Sequence, residues 1–251
     1  MHPSFTTGTI ARLKARDPQA WFELWQVFGP ILRAQLGRWG GKRIGPQTVE
    51  DLSQETLSAL SASIDRHDPA RGAKFSTWLL SIARHVLGDE MDRRTAQKRG
   101  GGVRPQSLDE QLFVPALEVP PGSAFEAAVF HAKIAEAIRR AEAESDLVDF
   151  TVYRLRVFEG RVGREVAESL GLSEAAVSRR LTKVRGTLRD RVREVVATYS
   201  FTDDERNEAE RKGLAADPNK ADDALFDEAL AEIYEAATRS DDEGSPSSRP
   251  A

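Results

Sequence analysis

His85 and Asp89 are four residues apart, a spacing that sets two metal-ligand types on one helical turn, yet nothing nearby completes a site. The remaining histidines, His2, His67 and His131, are scattered, and the chain has no cysteine. Thiolate zinc sites, disulfide staples and cysteine nucleophiles are thereby excluded. No glycine-rich phosphate loop or activated-nucleophile motif occurs either. Neither a metal nor a cofactor is expected, and an enzyme reading has little to stand on. Recognition is the chemistry the residues do support. Arg179, Arg180, Lys183 and Arg185 crowd into seven residues, a density suited to binding phosphates and reading guanine edges.

The segment that carries them, GREVAESLGLSEAAVSRRLTKVRGTLRDRVRE, has the spacing of a helix-turn-helix. Ala167 is small where two helices cross, Gly171 follows four residues later, and Val177 ten residues after Ala167. Gly171 can take the positive φ that ends a helix, Ser173 can cap the next, and Glu174 complements its positive end. With Val177, Leu181, Val184 and Leu188 turned inward, Ala175, Arg179, Thr182 and Lys183 face outward, flanked by Ser178 and Arg180. That face suits the major groove. Arg179 is the candidate for bidentate contact with guanine, Ser178 and Thr182 lie beside it, and Arg180, Lys183 and Arg185 are assigned to phosphates. The bland alternative is a helical hairpin with a solvated basic face.

Helices must position these residues, because strand-like alternation is absent. Asp17 and Pro18 announce a helix start, with Phe22, Trp25, Phe28 and Leu32 as its apolar row. Glycines 40, 41 and 45 with Pro46 break it, and a second helix begins near Thr48, with Leu52, Leu60 and Ile64 inward. A third runs from about Phe75 through Arg94. The stretch after Gln97 has three consecutive glycines and several prolines and reads as a flexible linker. Helical periodicity returns at Phe125 and runs, after a short break, to Phe158. The expectation is an all-α protein: a helical domain over 1–98, a linker over 99–124, a helix-turn-helix domain over 125–199, and an acidic extension over 200–251. Within the extension a helix is expected near 221–238, with Phe226, Leu230, Ile233, Tyr234 and Ala237 on one stripe, and a disordered end over 240–251.

The net charge of −4 conceals a division along the chain. Residues 1–100 carry 15 Lys and Arg against 10 Asp and Glu, and residues 147–199 carry 11 against 7. Residues 200–251 carry 6 against 15, so the acid is concentrated away from both basic blocks. Local basic blocks, not totals, decide whether a chain meets nucleic acid. Apolar runs fall far short of the ~20 residues of a membrane span, and no secretory signal pattern opens the chain. Membrane insertion is not expected, and the protein is expected to stay in the cytoplasm.

VEDLSQETLSAL followed by KFSTWLLSIARHVLGDEMDRR resembles the second conserved domain of bacterial sigma factors, and LRVFEGRVGREVAESLGLSEAAVSRRLTKVRGTLRD resembles their fourth. Order, spacing and linker fit the extracytoplasmic-function (ECF) group of the sigma-70 family, which keeps only these two domains. The resemblance implies a subunit that binds core RNA polymerase and promoter DNA and directs transcription initiation without chemistry of its own. It implies docking of Asp51, Gln54 and Glu55 on the β′ clamp helices, with the β flap as a second polymerase contact. It implies capture of the unpaired minus-ten strand by Arg71, Lys74, Phe75, Trp78, Arg84, His85, Arg93 and Arg94. A flipped base would sit in the loop HDPARGAK, near Arg71 and Lys74, and the fourth domain would read the minus-thirty-five duplex. His85 stands where the family commonly has asparagine, and Gly88 sits within what should be a continuous helix. Phe75 and Trp78 have a core reading besides the base-platform one, and Asp51, Gln54 and Glu55 have a solvated-face reading.

The rival from another class is a stand-alone helix-turn-helix regulator that does not engage polymerase. The acidic extension is open to three readings: a solubilising tail, a mask over a basic surface, or a docking helix for a regulator such as an anti-sigma factor.

Overall fold

The computed structural model describes residues 5–66, 74–98, 123–200, 202–214 and 220–244. Among them every regular element is helical. The chain divides into two compact units, Met1–Val129 with Ser200–Thr202, and Phe130–Tyr199 with Asp203–Ala251.

Unit 1 contains α1 (Phe5–Lys14), α2 (Pro18–Gly40), α3 (Pro46–Ser63) and α4 (Phe75–Lys98), with α2, α3 and α4 packed on one another. The Asp17 carboxylate accepts from the amides of Gln19 at 2.9 Å and Ala20 at 3.4 Å, satisfying two donors that α2 leaves open at its start. The buried row of α2 is Ala20, Leu24, Val27, Phe28, Ile31, Leu32 and Leu36. Phe22, expected on that row, is 56% exposed. Two helical rows share Phe28 and Leu32, and the aliphatic one faces α3 and α4. Gly41, at a φ of 53°, ends α2, and a short 3-10 turn leads into α3. Thr56 and Ser63 lie in the core of α3 with their hydroxyls donating to the carbonyls of Leu52 and Ala59, so no polar group is stranded there. Phe75, Leu79, Ile82, Ala83, Val86 and Leu87 form the buried face of α4. The helix runs unbroken through Gly88, which is exposed.

A further helix, α5 (Ser123–Glu144), gives its start to unit 1 and its remainder, from Phe130, to unit 2. Unit 2 continues with α6 (Leu147–Tyr153) and a π turn at Arg154–Phe158. It then holds α7 (Gly163–Leu170), α8 (Glu174–Tyr199), α9 (Asp203–Arg211) and α10 (Lys220–Gly244). Asp146 caps α6, accepting from the amide of Val148 at 2.9 Å. In α10, Phe226, Leu230 and Ile233 are all buried, so the apolar stripe of the acidic extension belongs to the core of this unit. Residues 240–244, expected in a disordered end, extend α10, since a formed helix gains one bond for each residue added. Of the expected linker over 99–124, residues 99–122 lie outside the described residues, and Ser123 and Ala124 belong to the first turn of α5 instead.

Candidate nucleic-acid interface

The helix-turn-helix is built by backbone chemistry at one glycine. Gly171 has φ 65° and ψ 32°, the left-handed conformation that turns the chain out of α7. The amide of Leu172 donates to the Ala167 carbonyl at 2.8 Å and that of Gly171 to Glu168 at 3.4 Å, the paired bonds of a Schellman ending. The Ser173 hydroxyl then accepts from the Ala176 amide at 3.2 Å and opens α8. Val166, Ala167 and Val177 bury together with Val152 and Leu155, and Leu170, Leu172 and Leu181 pack against them. This cluster fixes the angle between α7 and α8.

With Val177, Val184 and Leu188 inside, α8 turns Ala175, Ser178, Arg179, Thr182 and Lys183 to solvent. Among the described residues Arg179 has no ion-pair partner, so its guanidinium is available to a ligand. Its basic neighbours are engaged. Arg180 donates to Asp149 Oδ1, and Lys183 Nζ donates to Asp149 Oδ2 at 2.7 Å. Arg185, assigned to a DNA phosphate by sequence, is spent inside the unit. It donates through Nη2 and Nε to Asp227, at 2.7 and 3.1 Å, and through Nη1 to Asp223 at 2.9 Å. Charge patterning along α8 alone does not reveal this, because the carboxylates come from α10.

Asp149 is 3% exposed, and Lys183 and then Arg180 hold its carboxyl below the usual carboxylate range. A lowered folded-state value adds stability that is complete above the unfolded value near pH ~4 and is lost as pH falls through the folded one. Asp149→Asn should therefore lower the unfolding free energy by about 1–3 kcal/mol at neutral pH. That gap should close on acidification below pH ~4, as urea titrations across pH would show. A gap independent of pH would remove the ionic account.

In unit 1 the expected strand-binding residues fall into separate environments. Phe75 is fully buried, with ring contacts to Phe28 at 5.3 Å and Trp78 at 5.9 Å. It is a core residue, as the spacing of an amphipathic helix also permits. Trp78 is half-buried, and Lys74 Nζ donates to Glu126 at 3.2 Å. Arg94 is fixed by bonds to Glu90 at 2.6 Å, to the Arg43 carbonyl at 2.7 Å and to Thr48 at 2.9 Å, so it braces α4 against the start of α3. Arg93 is exposed and paired with Glu90 at 2.8 Å. Arg84 is exposed with its guanidinium 4.9 Å from the Trp39 ring centre. Trp39 escapes sequence reasoning because its partner lies on another helix. His85 is half-buried, 3.5 Å from Asp89. No cluster of three or more metal-ligating residues exists among the described residues. Arg71 lies outside them.

On α3, Asp51, Gln54 and Glu55 are all exposed, opposite the buried row of Leu52, Thr56, Ala59 and Leu60. Gln47 donates to Asp51 at 3.1 Å and Gln54 to Glu50 at 3.4 Å, ordering an acidic surface on a helix anchored in the core. No described helix is long and apolar enough to cross a membrane.

No curated protein matches the chain. The ECF sigma factor family matches over residues 46–194, a span that starts at the first residue of α3 and ends within α8. With the helix-turn-helix formed around Gly171 inside that span, the chain belongs to the ECF sigma factor family and has the general role of an RNA polymerase sigma factor.

Proposed function

We propose that the chain directs promoter-specific transcription initiation by binding core RNA polymerase and promoter DNA. The observation that carries this reading is the exposed, Arg179-centred face of α8, set on a helix-turn-helix within a sigma-family match. Arg179 reads a base edge of the minus-thirty-five duplex, with Ser178 and Thr182 beside it, and Arg180 and Lys183 fix register from their Asp149 mooring. Asp51, Gln54 and Glu55 dock on the β′ clamp helices, and unit 2 meets the β flap. Lys74, Trp78, Arg84, His85 and Arg93 line the path of the minus-ten strand, Trp39 joins them through Arg84, and Phe75 and Arg94 support them from within. Phosphoryl transfer belongs to the polymerase, so this chain works by recognition in the cytoplasm and takes no cofactor.

Purified protein should co-elute with bacterial core polymerase, and Asp51→Arg should reduce or abolish co-elution without changing the melting temperature. Absence of co-elution by the native chain would refute the reading and leave the stand-alone DNA-binding regulator in its place.

A further inference from the structure

Arg185 and Arg189 are one turn apart on α8, and Asp223 and Asp227 are one turn apart on α10. The two pairs meet in register. Besides the three bonds of Arg185, Arg189 Nη2 donates to Asp223 at 2.7 Å, and the Arg189 guanidinium lies 4.8 Å from the Phe226 ring centre. The Tyr153 hydroxyl donates to Asp227 at 2.7 Å. Burial, reinforced by Asp227, raises the phenol well above its ordinary value, so it stays a donor. Farther along α10, Tyr234 stacks on Phe158 with ring centres 4.1 Å apart and planes at 9°. Two guanidiniums, a phenol and an aromatic ring thus form one seat, matched to a helix with acid on one edge and apolar residues beside it.

Arg185 has a second claim on it. Positions 178, 182, 185 and 189 recur at three- and four-residue intervals and form one stripe of α8, whose first two members are exposed beside Arg179. Arg189 is buried, whereas Arg185 lies one turn beyond Thr182 with 13% of its side chain exposed. A guanidinium makes equivalent paired bonds to a carboxylate or a phosphate but cannot complete both at once.

We propose that this seat is a docking site for an acidic amphipathic helix, occupied in cis by α10, and that α10 competes with DNA phosphates for Arg185. The inference rests on the reading that α8 meets duplex DNA. It narrows the three roles open to the acidic extension: α10 leaves the Arg179 face exposed and withdraws one phosphate contact at its edge.

The test is binding of the full chain and of Asp223→Asn/Asp227→Asn to a labelled mixed-sequence DNA duplex across a sodium chloride series. Release of Arg185 should tighten binding several-fold at low salt. The slope of log affinity against log salt should steepen by about 0.9, the increment for one further phosphate. Arg185→Gln should cancel that gain in the double variant. Equal affinity and slope in a folded double variant would overturn the proposal. So would a gain that survives Arg185→Gln, because simple repulsion by the two carboxylates would then explain it. Should the double variant not fold, hydrogen exchange of the native chain decides. Protection of the amides at 226–234 should fall when duplex is added, and unchanged or increased protection counts against competition. If neither chain binds duplex at low salt, the DNA-binding reading itself falls. If the native chain binds and the double variant matches it, only this inference falls.

Discussion

Phe226→Ala lowers the unfolding free energy of unit 2 by about 3–5 kcal/mol, the range for truncating a buried aromatic side chain. Phe226 is 1% exposed, and the Arg189 guanidinium covers its ring, so the truncation leaves both a cavity and a displaced cation. A chain ending at Tyr199 should lose more, because Leu230 and Ile233 are buried with it. Urea unfolding followed by circular dichroism measures the effect. Leu225→Ala is the internal control: Leu225 is 55% exposed, and its truncation should stay within about 0.5 kcal/mol of the native value. A solubilising tail would give small changes at both positions. The result also bears on how deletions are read, because removing the extension destabilises the unit that would bind DNA. Loss of DNA binding after deletion is then no measure of masking, and charge-only substitutions in α10 become the informative ones.

The second large effect is in unit 1. Phe75→Ala should cost about 3–5 kcal/mol of stability, while Phe75→Leu should recover most of it by refilling the site with a branched apolar side chain. A base platform must offer a ring face to solvent. Phe75 offers none, since it is fully buried with Phe28 and Trp78 against its ring. Unfolding curves and affinity for a single-stranded oligonucleotide, taken together, separate the roles. Core behaviour predicts that Phe75→Leu keeps both near native levels. Weakened strand binding by Phe75→Leu at unchanged stability would restore the platform role.

The misplaced row on α2 shows where periodicity reaches its limit. Phe28 and Leu32 fit two rows equally well, and only the position of α3 and α4 selects the row through Leu24 and Val27 over the one through Phe22. Trp39 is a similar case, since its cation–π partner Arg84 comes from another helix. The charge division of the chain identified an acidic segment with something to attract, and the interval of four between Asp223 and Asp227 matches that between Arg185 and Arg189. Composition carries no register, however, so it could not say which cations the acid would reach.

The sequence by itself determined the helical class, the cap at Asp17, the left-handed turn at Gly171, the start of α8 at Glu174 and the outward placement of Arg179. Each of these follows from sterics and hydrogen bonding within a few contiguous residues, where the chain has few choices. Only the tertiary structure decided that Phe75 is core, that Arg94 braces α4, and that Arg185 is held by Asp223 and Asp227. Those outcomes depend on which distant groups arrive at a side chain, and a guanidinium takes whichever acceptor the fold brings to it first.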